Sequence, residues 1–309
     1  MIQPFAYYGG KQRLLKELLQ LIPPHTQYLE IFAGGSTLYW NKPPSKNEVL
    51  NDKNGFITNF YTVVKTKFHE LKNILDGTLH SEVTYLKTRE LLKTNTGTDV
   101  EKAWAFWFQV NCTFSHLQMG GFAFGTTGMA SQTKNRIDTF IFEYAERLRG
   151  TEIFCRDAIE LLELKSHEEN FIYADPPYVS SNMGHYGDYT KEDFTKLLDA
   201  LVKTKGKFLL SSYPEEILME YRQKYGWNSK DIKQIVSVNG KRETPKYKLE
   251  CLTWNYEKPS RQHTIFDDAM FENEAEVQSV EDGNTAFVSQ PELMEAPDPD
   301  TFILTPQTE

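Results

Sequence analysis

The sequence predicts an α/β fold, a sheet domain split by a mainly helical insert around residues 54–150. Three observations predict it. Short apolar, strand-like runs alternate with helix-period segments at both ends of the chain. That alternation lapses between residues 54 and 150, where apolar residues recur at helical spacing instead. The first strand-like run also ends in a Gly-Gly turn, as strands do where an α/β sheet meets a ligand.

Taken in order, Leu14, Leu15, Leu18, Leu19 and Ile22 mark a helix that Pro23-Pro24 stops. Tyr28–Phe32 reads as a buried strand, followed by Gly34-Gly35 and a second short strand at Glu48–Asn51. Ile57, Phe60, Val64, Phe68, Leu71 and Leu75 predict one long helix, with others at Val100–Phe114 and Arg136–Arg149. Between the last two, GGFAFGTTGMASQTKN is glycine-rich and polar, which predicts a hairpin or a mobile loop. Beyond residue 150, strands are expected at Glu152–Cys155, Phe171–Ala174 and Phe208–Ser211, with helices at Ala158–Leu164 and Lys191–Lys203. Two β-like runs, Ile232–Val238 and Leu249–Trp254, close the body. The expected domains are 1–53 with 151–256 for the sheet, 54–150 for the insert and 257–309 for a tail.

Charge and composition narrow the function classes. From Glu257 onward there are thirteen acids against two bases, so the net charge of −9 belongs to the tail. The rest, with thirty-two bases and thirty acids, neither advertises nor excludes nucleic acid. The tail is acidic, proline-spotted and aperiodic, hence expected to be disordered. It reads as a solubilising segment, or as a docking point for a protein partner through Ile265-Phe266 and Phe302–Leu304. No apolar run approaches the roughly 18 residues of a membrane span. Cys112, Cys155 and Cys251 lie far apart with no CxxC pair, which argues for a reducing cytoplasm and against a disulfide framework or a zinc site. A monomer is expected.

Four constellations carry chemistry. In YLEIFAGGSTLYW a strand runs into glycines that let a ligand approach the backbone, with Glu30 near its end to meet a ribose or a charged group. A plain strand-turn would account for the same residues. In VLNDKNG, Asp52 follows the next strand, where an acid commonly accepts from ribose hydroxyls; an Asx turn or a helix cap would use the same residue. Gly9-Gly10-Lys11 precedes a helix and could meet an anion, or simply start the helix. Most specific is NFIYADPPYVSS, a strand ending in Asp-Pro-Pro-Tyr at residues 175–178. The prolines stiffen a pair of acceptors, the Asp175 carboxylate and the Pro176 carbonyl, beside a flat ring. Two preset acceptors and an aromatic face match an exocyclic amino group on a stacked base.

Together these pieces resemble the Dam-type DNA adenine-N6 methyltransferases of the D12 class. The family's Lys-Trp-x-Gly-Gly-Lys corresponds to Ala6-Tyr7-Tyr8-Gly9-Gly10-Lys11, and its Glu-Pro-Phe-x-Gly-Gly-Gly to Glu30-Ile31-Phe32-Ala33-Gly34-Gly35-Ser36. Asp52 matches the acid after the second strand, Arg156-Asp157-Ala158 the family's Gly-Asp-Phe, and Asp-Pro-Pro-Tyr is identical. The resemblance covers about residues 4–256. It implies a Rossmann-like, S-adenosylmethionine-dependent methyltransferase sheet with a helical target-recognition insert. It implies methyl transfer from S-adenosylmethionine to N6 of adenine in double-stranded DNA by base flipping, at GATC or a related word, with no metal. Tyr7, Lys11, Glu30, Phe32, Gly34, Asp52 and Asp157 would form the cofactor shell, and Asp175, Pro176 and Tyr178 the catalytic pocket.

The insert would then read sequence. Residues 111–135 hold no arginine, so Asn111, Gln118, Gln132 and Asn135 are the candidate readers, of adenine by their hydrogen-bonding pattern. In the basic segment Gly240–Lys248, Lys241 and Arg242 are candidates for phosphate contact. Two other classes share parts of this pattern: an exocyclic-amine methyltransferase acting on RNA or cytosine N4, and a catalytically idle DNA-binding relative. A small-molecule dehydrogenase would leave Asp-Pro-Pro-Tyr without a task.

Overall fold

The computed structural model describes residues 2–124, 128–179, 189–236 and 246–259, with the side chains of 234–236 and 246–247 excepted. The expected tail therefore lies almost wholly outside the described residues. Residues 1–233 and 249–261 form one compact unit; of the other, 234–248 with 262–309, only 234–236 and 246–248 are described.

Among the described residues, seven strands form one sheet: β1 Gln27–Glu30, β2 Asn47–Asn51, β3 Thr151–Phe154, β4 Asn170–Ala174, β5 Lys207–Ser212, β6 Asn228–Val236 and β7 Lys246–Trp254. Their order is β3-β2-β1-β4-β5-β7-β6. The first five pair parallel and β7 runs antiparallel to β5. β1, β2, β4 and β5 are buried almost throughout, as both faces of the sheet are covered. This is a Rossmann-like arrangement. The strand order reverses between β1 and β4, and open α/β sheets take ligands at such a reversal, outside the carboxyl ends of the strands.

Eleven α-helices are described: α1 Leu15–Leu19, α2 Thr37–Asn41, α3 Gly55–Thr66, α4 Phe68–Asp76, α5 Glu82–Thr94, α6 Asp99–Cys112, α7 Met129–Asp138, α8 Glu143–Leu148, α9 Ala158–Lys165, α10 Lys191–Lys203 and α11 Glu216–Tyr225. Period-two alternation sorts them onto two faces. Leu29, Val49, Ile172, Phe208 and Leu210 face α9, α10 and α11. Tyr28, Phe171, Tyr173, Leu209 and Leu252 face the other way, into one cluster with α1 to α8. The helices between β2 and β3 thus share a core with the sheet. α6 is buried along nearly its whole length, from Val100 to Cys112, and starts at a reciprocal Thr98–Glu101 capping box.

Several expectations change. The long helix predicted over Ile57–Leu75 is two, α3 and α4, because the chain leaves helical angles at Lys67 (φ −138°, ψ 37°) and both pieces pack on α6. The helix expected at Arg136–Arg149 is also two, α7 and α8. Between them Phe140 turns into the core and stacks on Phe68 with centroids 5.3 Å apart. The predicted loop from Gly120 to Asn135 is in its second half α7, which buries Thr133 and Ile137 at i,i+4. α2, α5 and α11 were not expected at all.

Candidate active site

Each parallel strand from β3 to β4 delivers a named residue to the carboxyl edge. After β4 comes Asp175, with Pro176 buried behind it. Asp175 Oδ2 lies 2.7 Å from Lys11 Nζ, and Lys11 is 7% exposed. The same ammonium donates to the Gly9 carbonyl at 2.8 Å and stands 4.9 Å from the centroid of the Tyr178 ring. Lys11, expected in the cofactor shell, is therefore an ion-pair partner of the Asp175 carboxylate. Its backbone N–H, donating to Thr37 Oγ1 at 3.2 Å, ties the Gly9-Gly10-Lys11 turn to the start of α2.

The Tyr178 hydroxyl is 2.7 Å from Glu250 Oε2, 3.1 Å from Ser211 Oγ and 3.2 Å from Asp175 Oδ1. Its ring packs on Tyr213, centroids 4.3 Å apart. Asp175 just after β4, Ser211 on β5 and Glu250 on β7 share the face that meets the helical insert. Burial pushes the Asp175 carboxyl up, Lys11 works against that, and Glu250 adds to it. Burial, then Asp175 and Glu250, pushes the Tyr178 phenol far above its ordinary value. Glu250 is 1% exposed. It was missed in the sequence, although a signal existed: in LECLTW the acid falls on the same alternate positions as inward-facing Leu252 and Trp254.

The cofactor candidates lie nearby, in unequal states. Gly34 has φ +46°, and a Cβ there would stand 3.1 Å from the Tyr7 ring, so the turn after β1 is packed under Tyr7. Asp52 Oδ2 accepts from the Gly34 N–H at 2.8 Å and Oδ1 from the Asn54 N–H at 2.8 Å. Burial raises the Asp52 carboxyl to about 6 against those two bonds. The acid thus makes the turn contacts of the structural reading and keeps a lone pair on each oxygen for a ligand. Glu30 is 2% exposed and accepts from the Tyr28 hydroxyl at 2.6 Å, with burial raising it to about 8. It lies inside the sheet face, and the expectation of a carboxylate reaching out to a ribose does not describe it. Asp157 caps α9, accepting from the Ile159 N–H at 2.9 Å, and its other oxygen is 3.6 Å from Lys53 Nζ. Phe32 is half-buried and meets Tyr189 edge-on at 6.4 Å. The Tyr189 hydroxyl is buried without a hydrogen-bond partner among the described residues.

The proposed readers of DNA separate. Asn111 is 5% exposed; its Oδ1 accepts from the Ala6 N–H at 3.0 Å and Arg136 Nη1 at 2.8 Å, and its Nδ2 donates to the Trp107 carbonyl at 2.8 Å. It holds the insert to the N-terminal segment and has no edge left for a base, which corrects the expectation. Gln118 Oε1 accepts from Asn54 Nδ2 at 2.8 Å, linking the insert to the loop after β2. Gln132 and Asn135 are exposed, one turn apart on α7. Lys241 and Arg242 lie outside the described residues. Sequence reasoning also passed over Phe114 and Phe124, 50% and 74% exposed and edge-on to each other at 6.4 Å.

Comparison with known proteins follows the same line. The sequence model described as D12 class N6 adenine-specific DNA methyltransferase matches residues 7–269. The chain is 27% identical over 202 residues to the DNA N-6-adenine-methyltransferase of Escherichia phage P1, covering 62% of this chain and 26% of that protein. It is 25% identical over 277 residues to the type II methyltransferase M1.LlaDCHI of Lactococcus lactis subsp. cremoris, covering 82% of this chain and 96% of the relative. Over 213 residues it is 25% identical to a DNA adenine methylase of Vibrio cholerae serotype O1, covering 63% and 74%. The chain spans about a quarter of the phage relative and nearly all of the lactococcal one.

Proposed function

The chain belongs to the D12 class N6 adenine-specific DNA methyltransferases, and from that premise we propose that it methylates N6 of adenine in double-stranded DNA with S-adenosylmethionine as donor. The observation that carries this is Asp175 at the carboxyl end of β4, with a cationic N–H donor already on Oδ2 and an aromatic ring beneath that donor. An ammonium 2.7 Å from the carboxylate and 4.9 Å from the Tyr178 centroid stands where an exocyclic amino group would stand.

The adenine amino lone pair is delocalised into its ring and is a weak nucleophile. Asp175 and the Pro176 carbonyl would take its two N–H groups and favour a pyramidal nitrogen, which is positioning and electrostatics rather than covalent catalysis. Lys11 gives up Oδ2 to the base, and Tyr178 stacks on it, since N6 cannot be attacked inside a duplex. S-adenosylmethionine supplies an electrophilic methyl on a sulfonium. The residues present fit a nucleoside: Asp52 has free lone pairs toward ribose hydroxyls, Phe32 offers a ring, and the buried Tyr189 hydroxyl has no partner among the described residues.

The insert supplies recognition. Gln132 and Asn135 suit adenine edges and so support GATC or a related word, and exposed Phe114 and Phe124 supply apolar wedges against an opened stack. Incubating unmethylated bacterial genomic DNA with labelled S-adenosylmethionine, then locating the label, tests the reading. Label on adenine N6, falling by about 100-fold or more in Asp175→Ala, is expected. Label on cytosine N4 or on RNA favours the neighbouring amine class, and equal labelling by wild type and Asp175→Ala overturns the site.

A further inference from the structure

We propose that Glu250 is the terminal proton acceptor of the transfer reaction, reached from Asp175 through the Tyr178 hydroxyl; this rests on the reading of the pocket as an amine-methylating site. Methylating a neutral amine makes a proton. The N6 lone pair forms the bond to the methyl carbon, the carbon–sulfur bond breaks with its electrons left on sulfur, and N6 then carries one hydrogen too many. That hydrogen has to leave a place where Asp175 and Lys11 side chains are 19% and 8% exposed.

The route is laid out by distances. Asp175 turns Oδ2 to the amine side and Oδ1 to Tyr178, 3.2 Å away. Tyr178 Oη in turn lies 2.7 Å from Glu250 Oε2. Asp175 takes the proton from N6 and brings it round to Tyr178 by a half-turn about its soft terminal torsion. Tyr178 accepts it on Oη while its own hydroxyl proton passes to Glu250 Oε2. Two O–H bonds form, two heavy-atom–hydrogen bonds break, and the phenol ends as it began. Burial and the two carboxylates hold the Tyr178 phenol far above its ordinary 10, so it acts by exchange and not by ionising.

Charge runs in the same direction. Among the described residues, the Lys11 ammonium stands beside two carboxylates, Asp175 and Glu250, an acidic setting that suits a sulfonium methyl donor. Once the sulfonium's positive charge has become a proton, Glu250 keeps it in the pocket. Among the described residues, Tyr178 and Asp175 from the turn after β4 and Tyr173 on β4 itself face Glu250, and of these Asp175 is the other carboxylate, the one that takes the proton first. Ser211 on β5 adds only a hydroxyl to the same Tyr178 oxygen.

The rival role is mechanical: Glu250 merely fixes the Tyr178 ring. Glu250→Gln separates the two, because its amide oxygen still accepts the Tyr178 hydrogen bond but takes no proton. Tyr178→Phe keeps the ring and breaks the chain in its middle. Single-turnover methylation of unmethylated bacterial genomic DNA with labelled S-adenosylmethionine is measured for wild type, both variants and the double variant, with dissociation constants for DNA and S-adenosylmethionine. Each single variant is expected to slow transfer by about 100-fold or more, the pair to fall no further than the slower single, and affinities to stay within about twofold. Glu250→Gln at the wild-type rate, a loss confined to affinity, or additive losses in the double variant each overturn the proposal. If Glu250→Gln fails to fold, Tyr178→Phe decides alone: wild-type rate overturns the relay, slow transfer at unchanged affinity upholds it. Wild type that places no label on adenine N6 overturns the parent reading as well, and is seen before any variant is compared.

Discussion

Glu30 is an acid held neutral by its surroundings. Its folded value of about 8 lies above the ordinary 4.5, because burial opposes the charge. The folded state therefore binds more protons than the unfolded one between those values, so its contribution is full below about pH 4.5 and lost as pH rises through 8. Glu30→Gln keeps an acceptor for the Tyr28 hydroxyl and removes the titration. We expect the variant to match wild type near pH 5 and to exceed it by roughly 2–4 kcal/mol near pH 8.5, measured by urea unfolding across pH. A difference that is flat with pH would refute a neutral Glu30. Residues like this show what the sequence withholds. Asp175 to Tyr178 was legible because a plain turn after a buried strand has no need of two prolines between an acid and a ring. Lys11 and Glu250 were not assigned to the pocket, since they lie 164 residues before and 75 residues after Asp175 and only the sheet order brings them together.

At the level of elements, α8 is fastened to β2 by one guanidinium. Arg147 Nη2 donates to Glu48 Oε1 at 2.9 Å and to the Tyr39 carbonyl at 3.1 Å, and Nη1 meets the other Glu48 oxygen. Burial alone would raise the Glu48 carboxyl, yet Arg147 and Lys42 hold it below its ordinary value. Arg147→Met fills the volume but leaves Glu48 with Lys42 alone, and is expected to cost about 3 kcal/mol in unfolding free energy. A cost under about 1 kcal/mol would mean that α8 is held by apolar packing instead. Strands were the more legible elements: β1 to β5 each fall within two residues of expectation, because buried parallel strands read as short apolar runs. Helices were less so. α5 buries only Tyr85, Thr88 and Leu92 and exposes Val83 and Leu86, so its stripe is faint against its polar residues. α11 buries Leu218 alone. Where apolar spacing continued unbroken, as from Val64 to Phe68, nothing in it marked the turn at Lys67.

For the whole molecule, the charge is divided along the chain. Deleting residues 260–309 leaves thirty-three bases against thirty-one acids, whereas the full chain carries −9. Acids in that segment would compete with DNA phosphates for bases of the chain, so the deletion is expected to tighten binding to a random duplex several-fold near 50 mM salt and by little near 200 mM. Fluorescence anisotropy at both salts checks it, and unchanged affinity at low salt would show that the segment does not screen the DNA-binding face. The strand order has a consequence in time as well. β7 lies between β5 and β6 although it is made after both. A ribosome that has released β1 to β6 has delivered a sheet whose β5 edge has no neighbour on that side, with open backbone groups along a buried, apolar strand. Until the last described strand arrives, the nascent protein exposes that edge to self-association, and the acid at position 250 reaches its place only when the gap closes.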